Sequence, residues 1–125
     1  RVFECIPCSQ IKQGITRILD EIRPDAVAIA GWGTADARAC LAWCKKNQAQ
    51  AIVMSETRLA DGWRVWWKEW LKSRIVRQFD AALCGGESHM RYLVQLGIPQ
   101  ERIALGYNVV DNDFFKGSAH KSMKR

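Results

Sequence analysis

The sequence has no long apolar run, and it has fewer acids than bases. None of its apolar stretches approaches the roughly 20 residues that a membrane-crossing helix needs. No charged-then-apolar leader opens it, since residue 1 is Arg and no apolar segment follows. We read a chain starting there as processed or as a slice of something longer. Internal repeats and low-complexity tracts are missing too, which excludes solenoids and arrays. The nucleophile-elbow pattern G-x-S-x-G is also absent. Gly86-Glu87-Ser88-His89-Met90 fails it at the last position, which argues against a serine hydrolase. Acids are not clustered at strand ends, as a receiver-like regulatory module would require.

The apolar fraction is 48%, enough for a real core, and 125 residues suit one domain. The formal net charge is +6. Trp63–Arg77 carries five basic residues and Glu69, for +4, and Lys116–Arg125 carries four basic residues and no acid, for another +4. The rest of the chain is therefore at −2. A basic segment meets phosphates on nucleic acid, lipid or a nucleotide-sugar, or it is a solvated surface. No known nucleic-acid-binding motif accompanies it, so nucleic acid is not the expected partner.

The five cysteines are Cys5, Cys8, Cys40, Cys44 and Cys84. An odd count without a leader points to reduced thiols in a cytoplasmic setting. Cys5-x-x-Cys8 with Cys40-x-x-x-Cys44 could form a four-thiolate zinc site. The second pair sits in an apolar helical pattern, which favours buried thiols. No metal and no cofactor is expected.

Taken in order, Arg1–Ile6 reads as a strand remnant. Ile11, Ile15, Ile18, Leu19 and Ile22 fall at helical spacing, and Arg23-Pro24-Asp25 ends that helix. Ala26–Ala30 reads as a strand buried on both faces. Gly31-Trp32-Gly33 follows as a tight loop, with Trp32 either plugging the sheet edge or serving as a platform for a sugar ring. Thr34 or Asp36 caps a helix that runs to Lys46, with Ala37, Cys40, Leu41 and Cys44 on its packing face. Ala51–Met54 is a strand leading into Ser55-Glu56-Thr57. Trp63–Phe79 is a long helix. Trp67, Leu71, Ile75 and Phe79 step by four and predict a core ladder. Trp63, Trp66, Trp70, Arg74 and Arg77 form a neighbouring aromatic–basic stripe. That stripe suits a membrane interface, a lipid-linked acceptor or further protein.

The last unit, Ala81–Phe115, reads as strand, turn, helix and strand. Ala81–Cys84 is a buried strand, and Gly85-Gly86 turns sharply or approaches a ligand closely. Glu87 and Ser88 suit a helix start, and Tyr92, Leu93 and Leu96 give that helix its apolar stripe. Gly97 stops it ahead of Pro99. Arg102–Tyr107 is the last strand, and Asn108–Asp113 leaves it as a polar loop. Alternation of helix and strand predicts a parallel, Rossmann-like α/β sheet with helices on both faces. Its strand ends would bring Gly31, Trp32, Gly33, Ser55, Glu56, Gly85, Gly86, Tyr107, Asn108 and Asp111 to one cleft.

Leu96-Gly97-Ile98-Pro99, Arg102-Ile103 and Asn108-Val109-Val110-Asp111 with Phe114 and Phe115 resemble the end of the N-terminal domain of family-4, GT-B-fold retaining glycosyltransferases. The family's glycine after the Asn is Val109 here. The resemblance runs more loosely back to about Pro24. It implies a partial GT-B N-terminal domain over residues 1–115, with residues 116–125 as a basic tail or interdomain linker. It also implies transfer of a sugar from a nucleotide-sugar donor to a sugar or lipid-linked acceptor, this segment forming the acceptor side. Many members carry a histidine after the strand equivalent to Ala51–Met54. Glu56 stands there instead and is the candidate catalytic group, able to act as a base or to orient a hydroxyl. The family's early Gly-rich loop and its E-x7-E pair have no counterpart, so the chain alone is expected to be inactive. Asp111-Asn112-Asp113 has metal-site spacing but lies in the hand-over segment. The expected location is cytoplasmic, peripheral at the inner face of the membrane. The alternative is a non-enzymatic α/β binding module or a basic phosphate- or nucleic-acid-binding domain.

Overall fold

The computed structural model describes residues 7–56 and 66–106. Helix α1 spans Cys8–Ile22, strand β1 Ala26–Ala30, helix α2 Ala35–Asn47 and strand β2 Gln50–Ser55. Helix α3 spans Trp66–Val76, strand β3 Ala81–Cys84, helix α4 Glu87–Leu96, a 3-10 turn Gln100–Arg102 and strand β4 Ile103–Leu105. The four strands form one parallel sheet in the order β1-β2-β3-β4. The chain is thus an α/β, Rossmann-like unit, as the alternation of elements predicted.

Local chemistry explains the boundaries. α1 stops where Arg23, ahead of Pro24, takes a left-handed conformation and its N–H caps Leu19 O. α2 begins after Thr34 in extended backbone and ends at Asn47, whose side-chain amide donates to Trp43 O at 2.9 Å. α4 ends on Gly97 at φ 113, with its N–H bonded to the carbonyls of Leu93 and Val94. Only glycine takes that backbone readily, and a Cβ there would collide with the Arg77 side chain.

The core lies on one side of the sheet. Ala51, Val53 and Ser55 of β2 and Ala82 and Cys84 of β3 are buried, as are Leu41, Cys44, Val76, Tyr92, Leu93 and Leu96 of the helices. The intervening residues Ile52, Met54, Ala81 and Leu83 are only half-buried. Each crossover moves to the next strand in the same direction, and right-handed crossovers then carry α2, α3 and α4 over one face. Among the described residues, the second face is without that helical cover, so the expected helices on both faces are found on one.

Several expectations are corrected here. β1 is not buried on both faces. Ala26, Ala28 and Ala30 are exposed and only Ile29 is buried, because these alanines lie on the face of the sheet that has no helical cover among the described residues. The ladder on α3 is half wrong. Trp67 and Leu71 are 51% and 49% exposed, whereas Phe79 is buried and Ile75 packs against the core. The helix turns another side inward, carrying Val76, Ser73 and Glu69. Ser73 Oγ donates to Leu96 O at 2.7 Å, and Glu69 Oε2 accepts from Tyr92 Oη at 3.1 Å. On α1, Ile18 and Ile22 are exposed while Leu19 is buried. The last strand begins at Ile103, after the 3-10 turn.

Candidate functional site

Parallel strands place their carboxyl ends along one edge, and the register keeps those ends level. Ala30 faces Met54, Ser55 faces Cys84, and Cys84 faces Leu105. Gly31 N–H donates to Met54 O at 2.9 Å, and Gly106 N–H donates to Cys84 O at 3.2 Å. Gly31, Trp32, Gly33, Ser55, Glu56, Gly85 and Gly86 therefore follow one another along the carboxyl edge. Tyr107, Asn108 and Asp111 lie outside the described residues, as does Trp63.

The members of this edge differ in character. Gly31 has φ 75, a backbone that disfavours any side chain. Trp32 is half-buried and packs partly against the core. Ser55 is buried on the helix-covered side, whereas Glu56, the next residue, is exposed. Gly86 is extended, at φ −177, and a Cβ there would rest 3.9 Å from His89 Nδ1. Its backbone does not require glycine, so the glycine must be explained by what approaches it or not at all.

The described helices that follow a strand start at this edge, α2 and α4 directly after its loops. α2 begins at Ala35 and α4 at Glu87, and both direct their free N–H groups and positive dipole ends there. Asp36, in the first turn of α2, is held below the usual carboxylate range by a hydrogen bond from the Thr34 side chain. Arg38 reaches back to Gly33 O at 2.9 Å and ties the Gly31–Gly33 loop to α2. The edge thus combines donors for an anion with the exposed carboxylates of Glu56, Asp36 and Glu87.

Cys40, Cys44 and Cys84 pack in or against the core. Cys44 and Cys84 are fully buried, and burial pushes both thiols up from their ordinary value. Cys40 is raised for the same reason. None is poised as a thiolate nucleophile or ligand.

A concavity of about 370 Å³ opens at the opposite, amino edge, lined by Asp20, Arg23, Asp25, Trp43, Asn47 and Gln48. No motif in the sequence marks it. Arg23 and Gln48 are the described non-glycine residues with positive φ, and both are helix stops. Trp43 is held in its wall by Nε1 donating to Asp20 Oδ1 at 2.7 Å.

The profile of Glycosyltransferase Family 4 matches residues 10–114. The chain belongs to glycosyltransferase family 4. No curated relative matches it. Among solved structures, S. aureus MnaA in complex with UDP superposes with a TM-score of 0.60 at 14% identity, over 93% of this chain and 35% of that one. UDP-GlcNAc 2-epimerase from Neisseria meningitidis, bound to UDP-GlcNAc, gives 0.57 at 14% identity, over 78% and 26%. UDP-N-acetylglucosamine 2-epimerase from Rickettsia bellii gives 0.58 at 19% identity, over 83% and 27%. At such identities the likeness is one of fold. This family-4 chain spans about a third or less of the length of those structures.

Proposed function

We propose that this chain is the acceptor-side part of a glycosyltransferase that moves a sugar from a nucleotide-sugar to an acceptor. The observation that carries the reading is the family match over residues 10–114, on a sheet whose polar and glycine residues share one carboxyl edge. Ligands of open parallel sheets bind at that edge. The structural neighbours are described with UDP and UDP-GlcNAc, which favours a nucleotide-sugar as donor.

In this reading Glu56 contacts the acceptor, accepting a hydrogen bond from the attacking hydroxyl and drawing off its proton as the new glycosidic bond forms. Gly31 and Gly33 shape the loop beside it, and Trp32 closes the sheet edge behind it. Gly85 and Gly86 leave room for the substrate to approach the start of α4. The N–H groups of α2 and α4 favour the negative charge that builds on the departing diphosphate. Tyr107, Asn108 and Asp111 complete the edge from the sequence. The chain supplies one side of a site, and activity requires the rest of the protein.

The protein works at a surface in this reading. Among the described residues, no helix is long and apolar enough to cross a membrane. The thiols of Cys8, Cys40, Cys44 and Cys84 are unpaired, which suits the reducing cytoplasm.

The test compares Glu56→Gln with Glu101→Gln in the intact protein, measuring transfer from a panel of radiolabelled nucleotide-sugars. The expected outcome is a loss of about 100-fold or more in kcat/KM for Glu56→Gln and near-wild-type transfer for Glu101→Gln. Equal, near-wild-type rates would remove Glu56 from the site. Absence of transfer from every nucleotide-sugar by the intact wild type would overturn the function.

A further inference from the structure

Helix α3 carries a concentration of large exposed apolar side chains found nowhere else among the described residues. Trp66 is 82% exposed, Trp70 56%, Trp67 51% and Leu71 49%. At 100° per residue Trp66, Trp70, Arg74, Trp67 and Leu71 fall in that order around one side, within an arc of about 140°. The adjoining side is committed to the body of the fold through Val76, Ser73 and Glu69. The outer stripe is therefore fixed outward by contacts that hold the inner one.

Its charge has one sign. The charged residues of α3 and its last turn are Lys68, Glu69, Lys72, Arg74 and Arg77. The single acid, Glu69, is half-buried and occupied by Tyr92 and Lys72. Arg74 lies 5.0 Å from the centroid of the Trp70 ring, and Lys68 lies 5.5 Å from that of Trp67. Cations stacked on indoles form a surface that is apolar within and positive at the rim. Tryptophan favours the headgroup level of a bilayer, and arginine and lysine favour anionic headgroups. A helix of 11 residues is too short to span, so it would lie in the interface.

We propose that the outer face of α3 docks on an anionic lipid bilayer. α3 ends at the amino edge of the sheet, where Asp80 N–H donates to Ala51 O at 2.9 Å, so its Trp66 end is directed toward the carboxyl edge. Docking by Trp66 and Trp70 brings that edge toward the lipid surface. This gives the acceptor a chemical class, a sugar or hydroxyl carried on a membrane-anchored molecule. That consequence rests on the acceptor-side reading of the edge, whereas the docking itself does not.

The experiment is co-sedimentation of the intact protein with vesicles of phosphatidylcholine alone and of phosphatidylcholine with phosphatidylglycerol, without substrate. The expected result is preferential binding to the anionic vesicles, weakened as salt rises from about 0.05 to 0.5 M. The double variant Trp66→Ala, Trp70→Ala should lower partitioning about tenfold or more. Arg74→Glu should lower it about fivefold or more on anionic vesicles only. All these positions are on the surface, and an unchanged urea midpoint shows that the fold is kept. The proposal is overturned if the wild type ignores anionic vesicles, or if the double variant binds them as well as wild type. It is also overturned if the double variant changes the sedimenting mass of a protein that ignores vesicles, since the face is then covered by protein. Because binding is read without donor or acceptor, its failure is separate from a failure of sugar transfer.

Discussion

Tyr92 of α4 donates its phenolic hydrogen to Glu69 Oε2 of α3 across 3.1 Å, while Glu69 Oε1 holds Lys72 at 3.0 Å. The tyrosine is buried and the acid half-buried, so this is a polar tie between helices on the covered side of the sheet. It sets the rotation of α3 about its own axis, and with it the outward placement of the tryptophans.

Replacing the tyrosine tests that tie. Tyr92→Phe keeps the ring and removes only the donor to a charged acceptor. We expect a loss of about 1.5 kcal/mol in urea unfolding. Tryptophan emission should change at the same time if α3 loses its fixed rotation. A midpoint within error of wild type would show that the bond contributes nothing.

Stability should fall on the alkaline side. Burial, then the hydrogen bond to Glu69, raises the Tyr92 hydroxyl above its ordinary value. Burial raises the thiols of Cys40, Cys44 and Cys84, and the bond to Glu69 raises Lys72. In each case the folded state keeps its proton longer than the unfolded one. Their contribution is complete below the unfolded values and is lost as pH rises through the folded ones. The decline should begin near pH 9, the ordinary thiol value. Melting temperatures between about pH 8 and 10.5 measure it, and Tyr92→Phe should flatten the upper part of the curve.

Two glycines of the last unit should behave oppositely. Gly97→Ala meets both a positive φ and the Arg77 side chain, and should cost at least about 1 kcal/mol. Gly86→Ala meets extended backbone and an ordinary contact with His89, and should change stability by less than about 0.5 kcal/mol. Sugar transfer by the intact protein then becomes informative. A folded Gly86→Ala protein with weakened transfer would assign that glycine to the approach of substrate.

Asp80 serves the amino edge. Its Oδ2 accepts from the Ala51 N–H at 2.8 Å, and Lys45 stands 3.4 Å from Oδ1. Asp80→Ala leaves a buried N–H without its acceptor and should cost about 1–3 kcal/mol. Lys45→Met removes only a half-exposed ion pair and should cost less than about 1 kcal/mol. A denaturant series on the two variants separates the contributions.

Much of the architecture is legible in local chemistry. Ala26–Ala30 and Ala81–Cys84 are strands at their expected bounds, and Gly97 stops α4 where expected. Tyr92, Leu93 and Leu96 are all buried, as their spacing on a helix implies. What escaped were choices made by tertiary partners. Trp67 and Leu71 have the spacing of a core stripe, yet α3 presents Glu69 and Ser73 inward because Tyr92 and the Leu96 carbonyl await them. β1 looks doubly buried because all five of its residues are apolar, and only the tertiary arrangement shows that one face of the sheet is without helical cover among the described residues. For the candidate site, glycine placement and strand order predict the common edge. The difference between buried Ser55 and exposed Glu56 needed the sheet's covered side.

The sequential strand order also governs how the chain can fold. Every strand pairs with the next one in the sequence, so Ala26 meets Gln50, Ile52 meets Ala81 and Ala82 meets Ile103. These closures are of similar length and none encloses another, so their entropic costs are nearly equal and are met one at a time. A chain wired this way has low contact order for a parallel sheet, and its assembly is a relay in which each finished strand templates its successor.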